Sequence, residues 1–501
     1  MKISAINLLL LITVIPASAA VTMPAIFADH MVLQQGKTLP IWGWAAAGEK
    51  VTVSIGGHAG SVVAGEDRFW RIDLPVMTAS EEPLVLSVSG TNTLKFHDVL
   101  IGDVWLCSGQ SNMRLSMEKC HTGRADIPKA TDAGMRLYVV DEQTALTPVT
   151  DHRGRWVVCS PDVVKDFSAV GYYFGREIRE VRRQPIGLIG SYWGGTFAQA
   201  WTSREALAAN PPFRKYLDMI DREISGGGAS KEGKPERRSE SKPAEPKHVP
   251  SAIFNAMIHP LIPYALTGVI WYQGEHNAGS PIEYRTLFPR LIVDWRSRWG
   301  QGDLPFLFVQ LSTWKEAQSQ PVEGIIPWQR DSQMQALALP RTGMAVAIDI
   351  NAGPDIHPPD KLDVGKRLAL TARRVAYGED VVHQGPTYRS LVIEGNALRL
   401  TFDHSQGLKV AAPPWLGEKA TRPPANEPSP FAIAGADGHW RWAKATIEGE
   451  SIVLISDQVK APVAAAYAWA ANPACNVYNG SNLPMVPFCT NTQLLPEKPK
   501  Q

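Results

Sequence analysis

The sequence predicts an α/β fold: a parallel sheet flanked by helices, with further β-regions on its N-terminal and C-terminal sides. Three observations carry this. Between about residues 99 and 380, compact apolar runs of strand length alternate with longer stretches of helical spacing, as in a parallel sheet with helices on both faces. Ahead of that stretch, short runs alternate apolar and polar residues and break at turn signals, as small antiparallel strands do. Beyond about Ser390 the two-residue alternation returns.

The N-terminus reads as an address. Lys2 supplies a positive charge, Leu8 to Ile15 form a short apolar run, and Ala17-Ser18-Ala19 gives the small-x-small pattern of a cleavage site. The run is shorter than the ~20 residues a spanning helix needs, which favours a cleaved signal over residues 1–19 to a membrane anchor. The mature chain is then expected to begin near Ala20, outside the cytoplasm, in the periplasm or secreted, with no membrane attachment after cleavage.

A β-domain is expected over residues 20–98. Val51 to Ile55 alternates and ends at Gly56-Gly57; Phe69 to Leu74 and Leu84 to Val88 alternate again. The central α/β region is expected over residues 99–380. Its strands are Val104 to Cys107, Ile186 to Gly190, Gly268 to Tyr272, Leu304 to Leu311 and Gly343 to Ile350; its helices are Phe167 to Val181, Ile282 to Trp299 and Leu362 to Tyr377. Near residues 225–250 a Gly, Lys, Glu, Ser and Pro-rich stretch lacks the apolar residues needed to order itself, and reads as a disordered surface excursion. A C-terminal β-region over residues 381–495 includes Leu398 to Phe402 and Ser451 to Ile455.

Composition narrows the function. A 501-residue chain with 44% hydrophobic residues can bury a large core without metal or disulfide staples. Fifty basic and 49 acidic residues leave a formal charge of +1, which gives no footprint for nucleic acid. An exported chain can form disulfides; Cys475 with Cys489 is the first candidate pair and Cys120 with Cys159 the second, while Cys107 reads as a buried free thiol. No Cys or His ligand spacing points to zinc, and neither a metal nor an organic cofactor is expected.

Four segments at expected strand ends carry chemistry. In Gly109-Gln110-Ser111-Asn112-Met113, a serine at a strand-to-helix turn can direct its hydroxyl into a cleft, or simply cap the helix. Asp355-Ile356-His357-Pro358 follows the last strand and offers a base with a carboxylate two residues away. Trp193-Gly194-Gly195-Thr196 lets backbone N–H groups approach a ligand, or makes a tight turn. Tyr272-Gln273-Gly274-Glu275 supplies an amide that can donate to an oxyanion, or a surface polar cluster. Any one has a plain structural reading; four at the ends of one sheet point to a site.

With these segments and the opening Phe27-Ala28-Asp29-His30-Met31-Val32-Leu33-Gln34, the chain resembles the sialate O-acetylesterase family within the SGNH (GDSL-like) hydrolases, over nearly all of its mature length. The resemblance implies an SGNH-like catalytic domain and an esterase that removes O-acetyl groups from saccharides such as sialic acid or plant cell-wall glycans. It implies Ser111 as nucleophile, His357 as general base and Asp355 as orienting acid. The Ser111 backbone N–H, a glycine of the Gly194-Gly195 pair (Gly195 first) and the Gln273 side chain would form the oxyanion hole. Asp355 stands one position nearer its His than in the wider pattern, and Glu275 is the second candidate for the supporting carboxylate. Two other functions fit the residues: a non-catalytic glycan-binding protein on an esterase scaffold, and an esterase for another short acyl ester.

Overall fold

The structure is a computed structural model, and it describes residues 20–225 and 245–499. The expected signal at 1–19 lies outside those residues, as does most of the excursion near 225–250. No helix among the described residues is long and apolar enough to cross a membrane.

The chain opens with β1 (Val32–Gln34), β2 (Leu39–Trp44), β3 (Lys50–Ile55), β4 (His58–Val63), β5 (Phe69–Leu74) and β6 (Ser80–Ser89). Strand β3 pairs antiparallel with β4 and β6, and β2 pairs antiparallel with β5. β5 shows the alternation seen in the sequence, with Trp70, Ile72 and Leu74 buried and Phe69, Arg71 and Asp73 exposed.

Strand β7 (Thr93–Gly109) then joins two regions. Its first half pairs antiparallel with β6, and its second half lies parallel between β10 (Ile186–Tyr192) and β11 (Gly268–Tyr272). The expected division at 98/99 therefore falls inside one unbroken strand. With β8 (Asp132–Val139), β9 (Trp156–Cys159), β12 (Phe306–Gln310) and β13 (Thr342–Val346), the central order is β13-β12-β11-β7-β10-β8-β9. All neighbours are parallel except β9, which runs antiparallel to β8.

These strands are buried on both faces, which is why they read as continuous apolar runs. On β11, Val269 and Trp271 point into one core, with Tyr284, Phe288 and Trp295 of the helix Pro281–Trp299. Ile270 and Tyr272 point into the other, with the helices Ala169–Arg182 and Leu362–Val375. After residue 380, the strands Thr387–Glu394, Ala397–Asp403, Ser451–Ile455 and Lys444–Glu448 form one antiparallel sheet. A second antiparallel sheet is built around Phe431–Ala434 and Ala464–Tyr467.

All five cysteines are free thiols, so neither expected disulfide is formed. Each sulfur is accommodated separately: Cys120 Sγ lies 3.3 Å from Thr122 Oγ1, Cys159 Sγ 3.5 Å from the Ala130 carbonyl, and Cys475 Sγ 3.8 Å from the Pro473 carbonyl. Cys107 is a buried thiol, and burial pushes its pKa up.

Candidate active site

Strand β7 delivers the first group. Its last residue, Gly109, has φ of +136°, and a Cβ there would lie 2.2 Å from the Tyr272 carbonyl oxygen. Only glycine lets β7 and β11 end side by side in this way. Gln110 donates its backbone N–H to that carbonyl at 2.9 Å, and the four-residue helix Ser111–Arg114 follows. Gln110 occupies the cap position, so Ser111 is not the helix cap. Its Oγ stands 2.8 Å from His357 Nε2 instead. For the hydroxyl to donate to Nε2, the imidazole proton must reside on Nδ1.

His357 comes from the loop between β13 and the helix Leu362–Val375. Asp355 accepts the His357 backbone N–H at 2.9 Å. Its carboxylate is 3.7 Å from Nδ1, beyond hydrogen-bond length, and the two side chains are 63% and 42% exposed. Partial burial holds the imidazole pKa below its ordinary value; Asp355 opposes that shift, while Lys361 and Lys119 add to it.

This loop is braced by the C-terminal region. Asn472 donates to the Gly353 carbonyl at 3.2 Å and accepts from Asn351 Nδ2 at 2.7 Å. Gly417 donates its N–H to the Asn351 carbonyl at 2.8 Å.

At the end of β10, Gly194 is the glycine beside Ser111: a Cβ built on it would lie 3.5 Å from Ser111 Cβ. Gly195, expected first, has φ of +68°, and its carbonyl accepts a hydrogen bond from His248 Nε2 at 2.8 Å. A cavity of about 730 Å³ opens over Ser111, His357 and Gly194, with Tyr192, Arg114 and Glu142 in its wall. Arg114 and Glu142 pair at 3.0 Å. That volume suits a ligand of several rings.

Two expectations are corrected. Gln273 is not aimed at the cavity: it is fully buried, and Nε2 donates to the Thr196 carbonyl at 3.1 Å and to Asn277 Oδ1 at 2.7 Å. Both amide hydrogens are therefore used in holding the turn after β10 to the turn after β11. Glu275 bonds not to His357 but to Asn112, whose Nδ2 donates to Oε1 at 2.6 Å. Burial raises the pKa of this carboxyl group.

The sequence reading passed over Asn112 and Lys361. Asn112 is fully buried beside Ser111, and it also donates to the Ile356 carbonyl at 3.0 Å and accepts from Lys361 Nζ at 2.6 Å. A lysine at the start of an amphipathic helix reads as a surface residue, so only the adjacency of Asn112 to Ser111 offered a signal. Among the described residues, no three His, Cys, Asp or Glu side chains converge as metal ligands.

Comparison with known proteins gives the family. The carbohydrate esterase family described as sialic acid-specific acetylesterase matches residues 251–373. Sialate O-acetylesterase from Rattus norvegicus is 33% identical, with 92% of each chain covered. The Homo sapiens protein of that name is 31% identical, over 92% of this chain and 90% of its own. The chain belongs to the sialate O-acetylesterase family. A carbohydrate acetylesterase from Xanthomonas citri has the same fold, with a TM-score of 0.81, 35% identity, and coverage of 94% of this chain and 100% of its own. The expected SGNH-like α/β fold is borne out, and as a member of the sialate O-acetylesterase family the chain is an enzyme, a carbohydrate O-acetylesterase.

Proposed function

We propose that the chain is an exported serine esterase, periplasmic or secreted, that frees acetate from O-acetylated sialic acid or plant cell-wall glycan. The observation that carries the reading is the 2.8 Å contact between Ser111 Oγ and His357 Nε2 at the cavity wall. His357 takes the hydroxyl proton as Oγ attacks the acetyl carbonyl. The Ser111 N–H, first in its helix and without an intrahelical acceptor, and the Gly194 N–H receive the oxyanion. The tetrahedral intermediate collapses, His357 passes its proton to the departing sugar oxygen, and an acetyl-Ser111 ester remains. Water activated by the same imidazole then releases acetate and regenerates the serine. Asp355 favours the Nδ1-protonated tautomer from outside bonding distance.

The test is acetate release from O-acetylated sialic acid, acetylated xylan and acetylated xyloglucan oligosaccharides by wild type and Ser111→Ala. Release from one of them, abolished in the variant, is the expected result and identifies the sugar. Equal release by a folded Ser111→Ala protein refutes the assignment of the nucleophile. If no sugar is deacetylated, an acyl-length series of simple esters tests for another short-chain esterase.

A further inference from the structure

We propose that Lys361 is a positioning residue for the esterase reaction, holding the Ser111 turn and the His357 loop in register through Asn112. The inference rests on the Ser111–His357 reading above. Asn112 follows the nucleophile, and Ile356 precedes the base. The Asn112 side chain spans the two, donating to the Ile356 carbonyl at 3.0 Å and to Glu275 Oε1 at 2.6 Å. An amide placed so could turn over and exchange its oxygen and nitrogen. Lys361 forbids this, because its ammonium donates to Oδ1 at 2.6 Å and would meet an N–H donor after a flip.

The arrangement is a costly one. Lys361 is fully buried, and its hydrogen bond goes to an amide oxygen rather than a carboxylate. On the far side of Asn112, Glu275 Oε2 is buried without a hydrogen-bond partner. A buried ammonium and a buried carboxyl group are thus held apart by one neutral side chain, where direct pairing would be the cheaper arrangement. The result is a polarised amide whose orientation is fixed from both ends.

Position is not the whole effect. Lys361 sits among Glu275, Cys120, Asp360 and Asp355, and burial lowers its own pKa to about 8. It remains charged at neutral pH and disfavours the imidazolium of His357, as Lys119 does, while Asp355 acts in the opposite sense. Lys361 therefore helps keep the base free of a proton before the reaction.

Full-length wild type, Lys361→Met, Lys361→Arg and Asn112→Ala are compared on 4-nitrophenyl acetate, with kcat, KM, the pH dependence of kcat/KM and the melting temperature read for each. Lys361→Met is expected to lower kcat about tenfold or more with KM within about twofold. Its acid limb should move to higher pH, because the charge opposing the imidazolium is gone. Lys361→Arg should leave that limb at the wild-type position. Asn112→Ala should lower kcat by a similar factor with KM within about twofold, because Lys361 acts through that amide. A folded Lys361→Met with kcat within about twofold of wild type and an unmoved limb overturns the proposal. If Lys361→Met does not fold, Asn112→Ala decides, and a kcat within about twofold of wild type overturns it. Inactive wild type, or an active Ser111→Ala, is instead failure of the underlying esterase reading, and the role of Lys361 falls with it.

Discussion

Replacing Asp355 by Asn removes the charge that faces His357 while leaving an oxygen to accept the His357 N–H. The expected loss follows from the geometry. The carboxylate lies 3.7 Å from Nδ1, with side chains 63% and 42% exposed. Two unit charges about 4 Å apart interact by ~1 kcal/mol in water and ~4 kcal/mol at the effective dielectric of a protein surface. With both groups open to solvent, the weaker limit applies. The imidazolium that the proposed mechanism forms in the transition state therefore loses about 1 kcal/mol, and kcat should fall roughly 5- to 10-fold. Asp355→Ala also gives up the 2.9 Å backbone bond; about 1 kcal/mol more makes the loss roughly 30-fold. These are small beside the ~10⁴-fold cost of neutralising a buried, hydrogen-bonded triad aspartate. Initial rates of 4-nitrophenyl acetate hydrolysis on the pH plateau provide the assay. A loss beyond about 10³-fold in a folded Asp355→Asn protein would refute the reasoning, because it requires a desolvated bond to Nδ1 during turnover.

The acid limb of kcat/KM should have its midpoint below the ordinary histidine value of about 6.5. In the proposed mechanism the active form is neutral His357, so activity rises as pH rises through this lowered pKa; a midpoint above 7 contradicts the assignment of the burial effect. Gln273→Leu should act on stability more than on chemistry. It strands the Thr196 carbonyl and costs about 2–3 kcal/mol in urea unfolding, with a kcat loss well short of the ~10²-fold expected for an oxyanion donor. Gly109→Ala should destabilise by at least about 2 kcal/mol, read as a lower melting temperature, since backbone strain adds to the overlap with Tyr272.

Much of the frame was legible because burial on both faces writes itself as uninterrupted apolar runs. Gly268 to Tyr272 is the strand the sequence predicts, and the expected helix at Ile282 to Trp299 differs from Pro281–Trp299 by one residue. The expected strand from Gly343 to Ile350 stops at Val346, since the apolar residues beyond it are buried in a turn rather than paired. The break drawn at 98/99 marks a real change of environment, from half-exposed positions to full burial, but β7 runs through it. At the site, Ser111 and His357 could be found because strand ends gather them. The aim of a side chain could not: Gln273 stands where a donor is wanted, and its amide is engaged by Thr196 and Asn277. Asn112 and Lys361 escaped because an amide–ammonium contact between residues 249 positions apart has no local signature.

Asn472 gives the site an order in time. The loop carrying His357 is pinned at Asn351 and Gly353 by a residue synthesised more than a hundred positions after His357. A growing chain that has not yet reached Asn472 holds Ser111 and His357 without this brace on the His357 loop. The brace on the His357 loop is therefore among the last contacts of this region that a growing chain can complete.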